Sequence, residues 1–130
     1  MSLPERGTIL VLEDDPGVAV LERRQLERAG YTVLHSGTVA DAAQILQQQK
    51  IDLLLLDYRL PGDMDGLDFY AQLRASGQNV PVILVTGFSN EALVIKALRA
   101  GFRDFVTKSV EYLDYLPEAV ERVLKRKSGF

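Results

Sequence analysis

Short apolar runs alternate with longer amphipathic stretches along the whole chain. Thr8–Leu12, Tyr31–His35, Leu53–Leu56, Val80–Val85 and Asp104–Thr107 are four to six residues long and mostly apolar or β-branched, which predicts strands. Pro16–Ala29, Val39–Gln49, Gly66–Ala75, Asn90–Ala100 and Glu111–Arg126 carry apolar residues at helical spacing and predict helices. Strands apolar on both faces with helices between them form parallel βαβ units. Right-handed crossovers then give an α/β, doubly wound, five-stranded parallel sheet with helices on both faces.

Local punctuation agrees with this parse. Asp15-Pro16 offers an N-cap followed by proline at the first helical position. Thr38 with Asp41, and Asp65 with Asp68, have the three-residue offset of a capping box. Ser89 and Ser109 are placed to cap the fourth and fifth helices. Gly30 and Gly101 follow the expected ends of the first and fourth helices, where a left-handed residue stops the helix. Pro81 lies near the entry of the fourth strand, where a missing N–H is tolerated.

Composition narrows the class. A chain of 130 residues without linker or repeat fits one domain, spanning residues 1–130 with its core at about 8–124. Hydrophobic residues at 47% and charged residues at 25% exclude wholesale disorder. With no cysteine there is neither a disulfide nor a thiolate metal site, and a cytoplasmic location is expected. The longest apolar run, Leu53–Leu56 with Ile51 nearby, falls far short of the ~20 residues of a membrane helix. The region of Glu5 and Arg6 lacks a signal-peptide core, and Met1-Ser2-Leu3 has the look of an added leader. A net charge of −3 gives no general electrostatic reason to bind nucleic acid.

The polar residues gather where the predicted strands end. The first strand runs into Glu13, Asp14 and Asp15, the third into Asp57, the fourth into Thr86 and the fifth into Lys108. Only the second, ending at His35, looks bland. In an open α/β sheet the carboxyl ends of the strands form the ligand crevice. Singly, each residue has an ordinary explanation: Asp15 as a helix cap, Asp57 as a turn aspartate, Thr86 as a strand residue, Lys108 as a solvated lysine. Their coincidence is harder to explain that way. Glu13, Asp14 and Asp57 converging on one crevice would repel unless cations intervene. Lys108 supplies one charge, and Mg²⁺ suits a site with few carboxylates and several waters. A carboxylate, a Mg²⁺, a hydroxyl and an ammonium are the parts needed to accept a phosphoryl group.

Ile9–Pro16, Asp57–Gly62, Val85-Thr86-Gly87 and Ala100–Lys108, in this order and spacing, resemble the receiver domains of two-component response regulators. The resemblance runs from about Thr8 to Leu124. It implies a flavodoxin-like sheet of order 2-1-3-4-5. It implies Asp57 as phosphoacceptor, a sensor histidine kinase or phosphotransfer protein as donor, and Mg²⁺ as cofactor. Asp14 would ligate the metal directly, Glu13 through water, and Arg59 through its backbone carbonyl, beside Asp57. Thr86 matches the switch hydroxyl, Phe105 the switch aromatic and Lys108 the conserved-type lysine. Gly87 leaves room for the donor, while Arg59 and Phe88 stand where side chains gate water. By default, Phe105 is a core aromatic, His35 a strand-end residue, and Lys125-Arg126-Lys127 helix C-terminal charge.

Two departures from the pattern stand out. Proline usually follows the lysine through a cis bond, whereas here Ser109 does. A cis bond before a non-proline residue costs about 3 kcal/mol, more than the ~1 kcal/mol of a serine cap, so Lys108–Ser109 is expected to be trans. The segment Pro61–Gly66 looks one residue longer than usual.

The expected function is a phosphoacceptor switch that acts enzymatically only on itself. An aspartyl-phosphate phosphatase or phosphotransferase is the first rival, but the second aspartate such enzymes need would stand at Arg59. A nucleotide- or flavin-binding module would need a Gly-x-x-x-x-Gly-Lys loop, which does not appear. A receiver that is never phosphorylated would show lost site residues, and none is lost. No DNA-binding or enzymatic domain is expected after the fifth helix within this sequence, which fits either a stand-alone receiver or one excised from a larger regulator or hybrid kinase. A homodimer or partner contact is expected through the fourth helix, fifth strand and fifth helix. There Ala92–Ile95 is apolar at four consecutive positions, and a row of Tyr112, Tyr115 and Ala119 flanks the stripe Leu113, Leu116, Val120 and Val123.

Overall fold

The computed structural model describes residues 6–87 and 90–127. Met1-Ser2-Leu3, Phe88, Ser89 and the side chains of Arg126 and Lys127 lie outside the description. Five strands alternate with five helices: β1 (Thr8–Leu12), α1 (Pro16–Arg28), β2 (Thr32–Ser36), α2 (Val39–Gln48), β3 (Leu53–Asp57), α3 (Gly66–Ala75), β4 (Val82–Thr86), α4 (Glu91–Ala100), β5 (Asp104–Thr107) and α5 (Tyr112–Lys127). All strand pairs are parallel, in the order β2-β1-β3-β4-β5. Alternate residues of the strands feed two cores. Ile9, Val11, Leu53, Leu55, Ile83 and Val85 pack under α1 and α5. Leu10, Leu12, Leu54, Leu56, Val82 and Leu84 pack under α2, α3 and α4.

Every boundary falls within two residues of where the pattern placed it, and the differences at β2 and β4 have physical reasons. β2 begins at Thr32, because the Tyr31 N–H is taken by the Leu26 carbonyl at 3.1 Å and Gly30 N–H by Glu27 O at 3.0 Å. These two bonds, with Gly30 at φ +100°, close a Schellman turn on α1. Gly101, at φ +112°, ends α4 in the same way. β4 begins after Pro81, whose carbonyl still accepts from Leu54 N–H at 2.9 Å. The Asp15 cap, the Thr38 cap and the Asp65–Asp68 capping box are all formed.

Two expected caps need correction. Asn90 caps α4, its side chain accepting from Leu93 N–H, in place of the expected Ser89. Ser109 does not stand at the start of α5. Its N–H donates to Thr107 O at 2.7 Å, a γ-turn centred on Lys108, and its carbonyl accepts from Tyr112 N–H at 3.2 Å. The helix therefore begins only at Tyr112. Among the described residues no peptide bond is cis, so Lys108–Ser109 is trans as expected.

Pro117, inside α5, cannot donate to the Leu113 carbonyl one turn back. The Gln25 side-chain amide of α1 takes that carbonyl at 3.0 Å instead. No helix among the described residues is long and apolar enough to cross a membrane.

Candidate functional site

The carboxyl edge of the sheet brings the expected residues together. Glu13 follows β1, and its N–H donates to Ser36 O at 3.0 Å, extending the β1–β2 ladder by one step. Asp57 is the last residue of β3, held in register with Val85 of β4. Both carboxylates are buried, Glu13 at 3% and Asp57 at 7% exposure, whereas Asp14 is exposed. Lys108 leaves β5 with its N–H on Thr86 O at 2.8 Å. Its Nζ reaches Glu13 Oε1 at 3.0 Å and Asp57 Oδ1 at 3.3 Å. One ammonium thus bridges two buried carboxylates.

Charge in this corner is not balanced by protein groups alone. Burial pushes Glu13 up to about 8, the neighbouring Asp57 adds to the rise, and Lys108 offsets only part of it. Burial would lower the Lys108 ammonium, but the charges of Asp57 and Glu13 outweigh that and raise it. Glu13 Oε2 is buried without a hydrogen-bond partner. Carboxylate oxygens of Glu13, Asp14 and Asp57 lie within 4.8 Å of one another. An orphaned buried oxygen and three clustered hard donors fit a divalent cation such as Mg²⁺.

A cavity of about 390 Å³, lined by Asp57, Arg59, Gly87 and Lys108, opens above Asp57. Thr86 is buried on the neighbouring strand, in register with Thr107. Phe105 lies two residues before Thr107 on the same face and packs, half-buried, against the core under α2, α3 and α4. The Arg59 side chain is exposed and lines both the cavity over Asp57 and a neighbouring one under Pro61–Gly66. That segment is closed by Gly66 N–H on Tyr58 O at 2.7 Å. A β-carbon at Gly66 would stand 2.7 Å from the Asp57 carbonyl oxygen and 3.0 Å from Tyr58 Cα. Glycine is therefore what lets α3 start against the backbone that carries Asp57.

Sequence reasoning missed a buried polar pair beside the site. Glu22 of α1 is 2% exposed and accepts from Tyr112 Oη of α5 at 3.0 Å. Burial, with Glu13 as a minor contributor, pushes Glu22 up to about 7 despite that hydrogen bond. The signal was present: Ala19, Glu22 and Leu26 share the spacing of a buried helical stripe, with a carboxylate in the middle.

Comparison with known proteins agrees with this geometry. Residues 9–121 match the response regulator receiver domain family. The chain is 37% identical over 125 residues to the swarming motility regulation protein RssB of Serratia marcescens, covering 94% of this chain and 55% of that protein. It is 36% identical over 118 residues to the regulatory protein LuxO of Vibrio vulnificus, covering 91% of this chain and 26% of that one. The chain thus spans about half or less of the length of these curated relatives. The crystal structure of the signal receiver domain of a putative LuxO repressor protein from Vibrio parahaemolyticus superposes with a TM-score of 0.87 at 29% identity, covering 95% of this chain and 93% of that one. Flavodoxin-like topology, an acidic pocket at the sheet's carboxyl edge and the family match together place this chain among the response regulator receiver domains of two-component signalling.

Proposed function

We infer that this chain is one receiver domain that takes a phosphoryl group onto Asp57 and changes a partner-binding face in response. The observation that carries this reading is Lys108 Nζ lying between the buried carboxylates of Glu13 and Asp57, under an open cavity. The donor would be a phosphohistidine of a sensor kinase or phosphotransfer protein, which places the chain in the cytoplasm. An Asp57 oxygen attacks phosphorus in line, the P–N bond breaks, and its electron pair leaves on the imidazole nitrogen, which takes up a proton. Lys108 would balance charge on the phosphoryl oxygens, and the Thr86 hydroxyl would donate a hydrogen bond to one of them. Asp14, Asp57 and the Arg59 carbonyl would hold Mg²⁺, with Glu13 acting through water. When bound, the ion neutralises charge that builds up on the phosphoryl oxygens. Later attack by water on phosphorus releases phosphate and restores Asp57. Beyond this self-directed chemistry no turnover of an external substrate is proposed.

Acetyl phosphate with Mg²⁺ is expected to add about 80 Da, one HPO₃ group, to the wild-type chain. The gain should vanish in Asp57→Asn and in excess chelator. Its persistence in either would overturn the assignment.

The partner face would be α4, β5 and the start of α5. Here the expectation from sequence divides. Of the second row on α5, Tyr112 and Ala119 are buried in the core and Tyr115 is half-buried. The broad stripe on α5 is consumed by packing. On this face the exposed large apolar residues are Ile95 and Leu98 on α4 and Val110 just before α5.

A further inference from the structure

His35 is an exposed residue of the edge strand β2 and at first sight has no task. Its ring nitrogen Nε2, however, lies 2.7 Å from the Glu13 carbonyl oxygen. A carbonyl only accepts, so Nε2 carries the hydrogen. Glu13 N–H donates to Ser36 O at 3.0 Å. Both polar groups of the Glu13 peptide are therefore tied to two consecutive residues of β2. On the far side of Asp14, the Asp15 side chain accepts from Gly17 and Val18 N–H at 2.9 and 3.3 Å. Asp14 is exposed and sits between these two anchors. The β1–α1 loop thus owes its path to the sheet and to a cap, and a side chain of β2 supplies one of its bonds.

We propose that His35 is a positioning residue for the acidic loop, fixing the Glu13 peptide through its Nε2–H so that the Glu13 and Asp14 carboxylates stay aimed at the cation site beside Asp57. The inference rests on the phosphoacceptor reading above. What His35 must provide is a donor at a fixed height above the end of β2, not a charge. Glutamine, whose side-chain amide reaches about as far, should substitute for it. Leucine or alanine should not.

The test compares wild type with His35→Gln, His35→Leu and His35→Ala. Mg²⁺ is titrated while backbone amide NMR shifts are followed, and amide exchange at Asp14 and Asp15 is measured without metal. One modest hydrogen bond is worth about 1 kcal/mol, a factor of about 5 in affinity. Mg²⁺ affinity is expected to fall about fivefold in the leucine and alanine variants, amide exchange to quicken there, and the glutamine variant to match wild type in both. If the leucine variant loses thermal stability but keeps wild-type Mg²⁺ affinity, His35 is merely structural and the proposal fails. It fails equally if glutamine does no better than leucine. Absence of Mg²⁺ binding by the wild-type chain would instead strike at the phosphoacceptor reading itself, and the metal-free exchange measurement would still judge whether His35 orders the loop.

Discussion

Glu22 shows how one residue can set the pH response of the molecule. Its carboxylate is buried between α1 and α5 with the Tyr112 hydroxyl as its hydrogen-bond donor. Burial raises it from the ordinary carboxylate range to about 7. The folded state therefore holds a proton that the unfolded chain gives up at lower pH. Stability from this group is fully present below the unfolded value of 4.5 and is lost as pH rises through about 7. A shift of this size corresponds to an upper bound of about 3 kcal/mol. Urea denaturation of the metal-free chain at pH 5 and pH 8 is expected to show wild type losing stability, on the order of 1–3 kcal/mol, relative to Glu22→Gln. Glu13 also sits high and contributes its own slope in both proteins, so the difference between them isolates Glu22. A parallel pH dependence in the two would show that Glu22 is solvated in solution.

At the scale of elements, α1 and α5 are joined by a repair as well as by packing. Pro117 removes the donor that would satisfy Leu113 O, and Gln25 supplies one from α1. Gln25→Ala should cost about 1 kcal/mol, because it leaves a half-buried carbonyl without a partner. In a Pro117→Ala background the helix can satisfy that carbonyl itself, and the cost of Gln25→Ala should shrink toward zero. A double-mutant cycle by chemical denaturation reads the coupling directly, and additive effects would refute it. The two helices also show what a sequence can and cannot reveal. Element order, sheet class and the polar residues at four strand ends were legible, because apolar runs, caps and strand termini are local properties. Gln25 was not, since its task arises from a proline 92 positions away. His35 was not, because its partner is a backbone carbonyl, which leaves no mark on the sequence. The Ser109 cap was misjudged for a related reason: Ser109 has the chemistry of a cap, but the turn at Lys108 uses its backbone first, and the helix starts at Tyr112, one residue past the expected Glu111.

For the whole molecule, the question is how an event at Asp57 reaches a partner. α4 is the element best placed to carry it. Of its ten residues only Leu93 and Ala97 are buried, so it is lightly anchored. It begins five residues after Thr86, and it exposes Ile95 at 42% and Leu98 at 51%, three residues apart on one helical face. A phosphoryl group drawing the Thr86 hydroxyl toward Asp57 would pull on the short connection to α4. Phe105, packed at the edge of the core under α4, could fill the space left behind. The apolar pair on α4 would then be presented in a changed position to a second copy or an output partner. Sedimentation by analytical ultracentrifugation tests the homodimer form of this idea, with beryllofluoride as the phosphoryl mimic. Wild type is expected to shift toward dimer when the mimic and Mg²⁺ are added. Ile95→Asp is expected to bind the mimic and remain monomeric, since its charge faces solvent in the monomer and would be buried in the dimer. Thr86→Ala should bind the mimic and fail to respond, which separates the switch from the surface. If Ile95→Asp dimerises like wild type, α4 is not the interface. If Thr86→Ala also does, the signal reaches the surface by another route than the β4 hydroxyl.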